Sequence, residues 1–188
     1  MRMFLYYLFL VLLLGIAIFF LLRTVVIILT LLTEVPYLPS NNQYKKAIDK
    51  LDITFNDKVL DIGSGDGRVL IYASKKYPKS TFVGVEKNRL LVIYSQIKKL
   101  ILNRKNLEFV CADVHNFDIS EFDKIYIYLL PEFIDTILLT NKKSLKKGCT
   151  VVSLHYCLGK EFSKLNNIIK YPVKYRGKTD YIYKWVNK

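Results

Sequence analysis

The chain has 188 residues, enough for one domain of about 150 residues, the usual size of a single hydrophobic core. Its formal net charge of +13 at pH 7 favours a negatively charged partner, such as a membrane surface, a nucleic acid or an acidic protein face, without choosing among them. The three cysteines form no C-x-x-C pair, which argues against a disulfide framework or a zinc site.

The N-terminal residues 1–33 are predicted to form a separate membrane anchor. Residues 4–22, FLYYLFLVLLLGIAIFFLL, contain no charged side chain. A helix of about 19 residues rises about 28 Å, close to the hydrocarbon thickness of a bilayer. A cleaved signal peptide, the competing interpretation, has a shorter apolar core of about 7–15 residues and a small-residue cleavage site. The length of the run favours a retained transmembrane helix.

Basic residues flank this anchor unequally. Lys45, Lys46 and Lys50 follow it, whereas Arg2 and the terminal amine precede it. The positive-inside rule therefore predicts a single-pass membrane protein with its C-terminal domain in the cytoplasm. Arg23 interrupts the apolar run, so residues 24–33 either extend a tilted helix or lie at the interface.

After the anchor, residues 34–57 are predicted to form a proline-rich segment and one short helix, residues 44–51. From Lys58 onward, apolar strand-like runs alternate with helical ones. The predicted strands are residues 58–62, 81–86, 107–113, 123–130, 149–156, 167–175 and 180–186. The predicted helices are residues 67–77, a helix capped by Asn88 that runs to residue 103, and one that begins at Pro131, where the missing N–H costs nothing.

This alternation predicts an α/β domain over residues 58–188. Near-continuous apolar strands separated by helices indicate a parallel sheet covered by helices. The last two strands are too close in sequence for a crossover, so they are expected to pair as an antiparallel hairpin at the edge of the sheet.

A glycine-rich loop follows the first predicted strand in KVLDIGSGDGR, residues 58–68. Ligands of open α/β sheets bind outside the carboxyl ends of the strands, and glycine permits close approach of a ligand to the backbone. The third glycine comes one residue earlier than in the dinucleotide motif G-x-G-x-x-G, and Asp66 inside the loop would repel a pyrophosphate but tolerate a cationic ligand. The glycines alone are also compatible with a tight turn that binds nothing.

Acidic residues lie at the ends of three successive predicted strands, which strengthens the case for a ligand. Asp61 precedes the glycine loop, and Glu86 follows about 20 residues later, where a carboxylate accepts ribose hydroxyls. Asp113 ends the third strand, where a carboxylate can accept a hydrogen bond from the adenine amine. Each acid alone is typical of a helix cap or a solvated surface, but the three together indicate a site for an adenosine-containing ligand.

The motifs VLDIGSGDGR, VGVEKN and CADVHNFD resemble those of the class I S-adenosylmethionine-dependent methyltransferases, across residues 58–188. The resemblance implies a Rossmann-like seven-stranded sheet and S-adenosyl-L-methionine as cofactor, without a metal. It implies a cofactor site made of the residues after the first three strands: Asp61, Gly63, Ser64, Gly65, Gly67, Glu86, Lys87, Asp113 and Val114. The methionine portion would lie over the glycines, the ribose on Glu86 and the adenine near Asp113. The positively charged sulfonium makes neighbouring carboxylates favourable.

Two further strings, VPYLPSNNQ after the anchor and YIYLLPEF in the fourth strand, resemble a narrower family, the protein lysine methyltransferases of the ATP synthase c-subunit and the adenine nucleotide translocase. Leu38 stands where that family has valine. Residues 129–132, Leu-Leu-Pro-Glu, replace the Asn-Pro-Pro-Tyr string of many base and glutamine methyltransferases, which argues against those acceptors. The resemblance implies methylation of an accessible lysine on a membrane or membrane-proximal protein.

The same resemblance implies a lid over the cofactor and a mouth for the amine. The lid residues would be Tyr37, Pro39, Ser40 and Gln43, and the catalytic residues Tyr37, Tyr128 and Pro131. A lysine amine must arrive neutral and in line with the methyl group, and its desolvation beside a positive charge lowers its pKa without a strong base. His115 and His155 are therefore expected to be structural, and packing of Tyr37 at the membrane interface is the alternative for that residue.

Three other functions remain open from the sequence. A methyltransferase for a membrane-dissolved quinone or lipid would suit the anchor equally well. An RNA methyltransferase would suit the basic charge, but no RNA-binding module is attached and no nucleic-acid partner is expected. A protein that binds the cofactor without turnover is the non-catalytic alternative.

Overall fold

The computed structural model describes residues 2–31, 42–165, 167–175 and 177–188. The chain divides into two compact units, Met1–Leu38 and Pro39–Lys188. The predicted lid residues Tyr37, Pro39 and Ser40 lie outside the described residues.

The first unit contains helix α1, Arg2–Leu31, which continues through Arg23 without a break. Within it, Met3–Val25 is long and apolar enough to cross a membrane. Its described side chains are exposed. Residues 24–31 therefore continue the helix, while their position at the membrane interface stays a prediction.

The second unit is built on a seven-stranded sheet. The strands are β1 Lys58–Ile62, β2 Thr81–Glu86, β3 Leu107–Cys111, β4 Lys124–Ile127, β5 Thr150–Leu154, β6 Ile169–Tyr175 and β7 Lys178–Val186. Their order is β3-β2-β1-β4-β5-β7-β6; β1 to β5 are parallel, and β7 pairs antiparallel with both β5 and β6. The predicted α/β fold with a C-terminal hairpin is confirmed.

The helices of this unit are α2 Tyr44–Asp49, α3 Arg68–Lys76, α4 Arg89–Ile101, α5 Pro131–Asn141 and α6 Lys160–Leu165, with a 3-10 turn at Val114–Asn116. Asn88 caps α4 as predicted, because its side chain accepts a hydrogen bond from the N–H of Leu90 at 3.0 Å. Pro131 begins α5 in its first turn, also as predicted. Helix α6 was not predicted.

The predicted ends of three strands were wrong. Strands β3, β4 and β5 end two to three residues earlier than their apolar runs, so Asp113, Tyr128, Leu130 and His155 belong to the loops at the carboxyl edge. Apart from the acidic Asp113, these loop residues are apolar or aromatic and continue the pattern of the strands that precede them. They therefore lie where ligands of parallel sheets bind.

The sheet separates two hydrophobic cores. Val59 of β1 packs into a core with α2, α3 and Val92 of α4, whereas Leu60 and Ile62 pack into a second core with α5 and α6. Because successive side chains of a strand point to opposite faces, α4 and α5 lie on opposite sides of the sheet.

Candidate active site

The glycine turn after β1 places its three glycines in the left-handed region of φ. Gly63, Gly65 and Gly67 have φ values of +77°, +54° and +72°. Side chains with a Cβ rarely adopt these angles, so glycine is required for the conformation. The N–H groups of Gly63 and Ser64 donate to the carbonyl oxygen of Val85 at 2.9 and 3.0 Å, which holds the turn against β2.

Packing imposes a second requirement at Gly67. A Cβ added there would lie 2.8 Å from Phe109 Cε1 and 2.9 Å from Ser95 Oγ. At Gly63, an added Cβ would lie 2.9 Å from Leu129 Cδ2, in the loop after β4. The bare backbone of this turn therefore serves both close packing against its neighbours and access for a ligand.

Glu86, at the end of β2, faces the glycine turn. Its Oε2 accepts a hydrogen bond from the N–H of Gly65 at 3.0 Å, and its Oε1 accepts one from the N–H of Asn88 at 2.8 Å. Each carboxylate oxygen has a further lone pair that can accept another hydrogen bond. The half-buried carboxylate thus lies beside the turn and is fixed by two backbone donors.

Asp61 is buried next to the same turn, with 2% of its surface exposed. Its Oδ2 has no hydrogen-bond partner among the described residues, and neither has the hydroxyl of Ser64. Burial raises the pKa of Asp61 well above its usual value, and the nearby charges of Glu86 and Asp66 raise it further. A buried carboxyl without a partner is costly, and a cationic ligand would supply the missing donor.

Tyr126 is a site residue that the sequence analysis missed. It lies opposite Asp61 on the neighbouring strand β4, and its buried hydroxyl has no hydrogen-bond partner within the described parts of the chain. Burial raises the pKa of Tyr126, and the charge of Asp61 adds to the effect. The alternation of Tyr126 and Tyr128 in KIYIYLL was the available signal, because residues two apart on a strand share a face.

Asp66 differs from its expected role. Its carboxylate accepts hydrogen bonds from Arg68 Nε and Nη2, both at 2.9 Å, and Lys98 Nζ lies 3.5 Å from Oδ2. Burial raises the pKa of Asp66, but these two cations outweigh it, so that the pKa lies below its usual value. Because the charge is already neutralised, the argument that Asp66 repels phosphate loses its force.

Asp113 and Lys87 form a pair between the loops after β3 and β2. Lys87 Nζ lies 3.4 Å from Asp113 Oδ2, and the N–H of His115 donates to Asp113 Oδ1 at 3.0 Å. The latter hydrogen bond is the main cause of a lowered pKa of Asp113. Val114 packs against the second hydrophobic core. The two loops are thereby joined next to the end of β2 that carries Glu86.

An aromatic cluster lies after β4 and β5. The ring of Tyr128 is 5.7 Å from those of His155 and Tyr156, centre to centre. His155 has a φ of +66° and its Nδ1 is hydrogen-bonded to the carboxylate of Asp180 on β7. The sequence placed His155 near strand five but could not show that the hairpin supplies its partner. Leu129, which touches the glycine turn, connects this cluster to the turn.

Gln43, the described member of the predicted lid, precedes α2. Its side-chain amide donates a hydrogen bond to the carbonyl oxygen of Lys174 on β6. The neighbouring Tyr44 packs against the first hydrophobic core, which contains Tyr126. The start of the domain thus reaches the vicinity of Asp61, while contact of Gln43 with the cofactor stays a prediction.

Residues 61–162, more than half of the chain, match the family model of the ANTKMT methyltransferase domain. The chain belongs to this methyltransferase family. It is 31% identical over 124 residues to a protein-lysine N-methyltransferase of Saccharolobus islandicus (strain REY15A), covering 64% of this chain and 76% of that protein. It is 25% identical over 122 residues to the ATP synthase c-subunit lysine N-methyltransferase of Homo sapiens, covering 64% of this chain and 52% of that protein. The chain thus spans about half the length of the human enzyme.

A solved structure supports the same conclusion for the fold and the cofactor. The RNA methyltransferase from Salinibacter ruber in complex with S-adenosyl-L-homocysteine superposes with a TM-score of 0.68 at 26% identity, covering 79% of this chain and 93% of that one. The methyltransferase therefore uses S-adenosylmethionine. Asp61 Oδ2, which has no hydrogen-bond partner among the described residues, lies beside the bare backbone of the glycine turn and fits this cationic cofactor.

Proposed function

We propose that this methyltransferase is anchored in a membrane and methylates a lysine amine on a membrane or membrane-proximal protein. The observation that carries the lysine assignment is its similarity to two enzymes named as protein-lysine methyltransferases, one of which is named for the c-subunit of ATP synthase. The loop after β4 agrees with it, because Leu129 and Leu130 offer no side-chain amide to hold a planar base amine.

The anchor would be the segment Met3–Val25, which has the length and composition of a membrane span. Lys45, Lys46 and Lys50 on its C-terminal side favour a catalytic domain in the cytoplasm by the positive-inside rule. An anchored enzyme meets acceptors near the bilayer at a high effective concentration, which suits a membrane protein as substrate.

In the proposed site, each of three carboxylates would contact a different part of the cofactor. Asp61 would accept hydrogen bonds from the methionine ammonium, Glu86 would accept them from the ribose hydroxyls, and Asp113 with Val114 would border the adenine. The turn of Gly63, Ser64, Gly65 and Gly67 gives the methionine portion access to the backbone, and Lys87 orients Asp113. The bound cofactor supplies a methyl group on a positively charged sulfur.

The residues after β4 and β5 would form the acceptor mouth. Tyr128 and Tyr156 offer apolar ring surface that removes water from an entering lysine, which lowers the pKa of its amine and favours the nucleophilic neutral form. Asp180 holds His155 in place, and His155 in turn supports the ring of Tyr128. Pro131 fixes the end of this loop at the start of α5. Tyr37, Pro39, Ser40 and Gln43 would close over the cofactor as a lid.

Two other acceptors compete with lysine. A lipid or quinone is compatible with the same anchor, and RNA is the acceptor class named for the Salinibacter ruber protein. The three classes separate physically after reaction, since labelled lipid dissolves in organic solvent, labelled RNA is destroyed by ribonuclease, and labelled protein resists both.

The test uses membranes from a strain that lacks the gene, the purified full-length protein and cofactor radiolabelled in its methyl group. We expect label in a protein band that survives solvent extraction and ribonuclease, and in methyl-lysine after hydrolysis. The Asp61→Asn/Glu86→Gln double variant should leave the band unlabelled. The control Glu108→Gln changes an exposed carboxylate on β3 and should label the band like the wild type. Label confined to the solvent phase or to RNA would contradict the proposal.

A further inference from the structure

The outward face of α4 is an exposed apolar surface. The buried face of the helix carries Leu91, Val92 and Ser95 against the sheet. The opposite face carries large apolar side chains at spacings of three and four residues: Leu90, Ile93, Tyr94, Ile97, Leu100 and Ile101. We call these six residues the α4 stripe. Leu100 and Ile101 have 75% and 77% of their surface exposed, so packing of the domain does not account for them.

The segment that carries the α4 stripe contains basic but no acidic side chains. Residues 87–106 include six basic residues: Lys87, Arg89, Lys98, Lys99, Arg104 and Lys105. Lys87 is paired with Asp113 and Lys98 with Asp66, and the other four add positive charge to the border of the stripe. A helix with one apolar face and basic residues along its border is typical of helices that lie in the interface of an anionic membrane. The apolar side chains enter the headgroup region, and the cations contact phosphates.

Charge also decides between possible occupants of this surface. A second copy of the chain would bring two identical basic borders together, which opposes association through the stripe. An anionic bilayer complements the same border. Because α1 and the domain belong to one chain, a bilayer that holds α1 also keeps the domain at its surface. We propose that the α4 stripe docks on an anionic lipid bilayer, an inference that rests on the proposed membrane attachment.

The helix that carries the α4 stripe also contacts the cofactor site. The buried hydroxyl of Ser95 donates to the carbonyl oxygen of Gly65 at 3.1 Å, and Asn88 at the start of α4 donates its N–H to Glu86. The helix that contacts lipid is therefore the one that holds the glycine turn. With α4 along the bilayer, the sheet lies on the side of the helix away from the lipid, and the carboxyl edge opens along the membrane surface, where lysines of membrane proteins lie.

Tryptophan fluorescence in vesicles with brominated acyl chains tests this orientation. Ile97→Trp places a reporter in the centre of the α4 stripe, and Leu139→Trp places a matched one at an exposed leucine of α5, on the other side of the sheet. The buried native Trp185 gives the same background in both. In vesicles of equal parts phosphatidylcholine and phosphatidylglycerol, we expect the Ile97→Trp signal to fall about twofold and the Leu139→Trp signal to change little. Equal quenching of the two reporters would overturn the proposal.

A second variant controls for quenching that does not depend on the α4 stripe. Leu100→Glu/Ile101→Glu, added to Ile97→Trp at two highly exposed positions, should abolish the quenching while the affinity for S-adenosylhomocysteine stays unchanged. Persistent quenching in this variant would overturn docking through the stripe, as would a dimer in detergent that the same substitutions dissociate. Flotation with the vesicles separates the two proposals: a protein that does not float overturns membrane attachment and docking together, whereas a floating protein without quenching overturns docking alone.

Discussion

Asp61 should be unfavourable for the cofactor-free protein and necessary for the bound one. Its carboxylate is buried with Oδ2 unpartnered among the described residues, and its pKa is raised by burial and by the charges of Glu86 and Asp66. The variant Asp61→Asn keeps the shape of the side chain and removes its charge. The substitution should therefore stabilise the cofactor-free protein and weaken its binding of the cofactor.

The expected change in the stability of the cofactor-free protein follows from the linkage between protonation and folding. When a carboxyl has a higher pKa in the folded than in the unfolded state, the free energy of unfolding falls as the pH rises from the unfolded-state pKa to the folded-state pKa. The protein remains less stable at every pH above the folded-state pKa. At neutral pH, Asp61→Asn should therefore raise the free energy of unfolding by about 1 kcal/mol, which is about 2–4 °C in Tm for a domain of this size. The amide's own unpaired donors keep the gain small.

The same substitution should have an unfavourable effect on the affinity for the cofactor. A hydrogen bond between charged groups contributes about 1.5–3 kcal/mol, so its loss should weaken binding of S-adenosylhomocysteine by about 10- to 150-fold. Thermal unfolding without ligand and titration calorimetry give the two quantities on one sample, with Glu108→Gln as the matched control. A variant that is less stable and binds with unchanged affinity would refute the reasoning, because Asp61 would then serve the fold alone.

Three other predictions concern the same site. Gly67→Ala should lower the free energy of unfolding, measured in urea, by about 2–4 kcal/mol, because alanine is strained at this positive φ and its Cβ would overlap with Phe109. Gly148 also has a positive φ of +82° but open space around it, so Gly148→Ala should show the backbone strain alone. Affinity for S-adenosylhomocysteine in calorimetry should rise with pH through the raised pKa of Asp61, because only the ionised carboxylate attracts the ammonium, and a flat profile would contradict this assignment. Tyr128→Ala should lower kcat about tenfold or more with cofactor affinity unchanged, and reduced affinity alone would exclude the acceptor role.

The parallel part of the sheet, its C-terminal hairpin and the position of Glu86 could be predicted from the sequence because they follow from local patterns. Apolar runs alternating with amphipathic ones determine a parallel sheet, and the end of β2 must then face the turn after β1. The ends of β3, β4 and β5 could not be predicted, because the apolar loops that cover the carboxyl edge continue the strand pattern.

The tertiary partners of the site residues were not predictable from local patterns. Asp66 is neutralised partly by Lys98, which is 32 residues away, and His155 is held by Asp180 from the hairpin. The burial of Tyr126 beside Asp61 depends on the pairing of β1 with β4. The α4 stripe was visible as an apolar pattern, but only the structure shows that one set of its apolar residues is buried and the other exposed.

Mass spectrometry of membrane proteins tests the central claim most directly. The comparison is between a strain without the gene and the same strain complemented with the wild-type chain or with Asp61→Asn/Glu86→Gln. We expect a lysine-containing peptide of a membrane or membrane-associated protein to carry methyl groups only with the wild-type chain. Identical lysine methylation in all three strains, with full expression of the protein, would contradict the account.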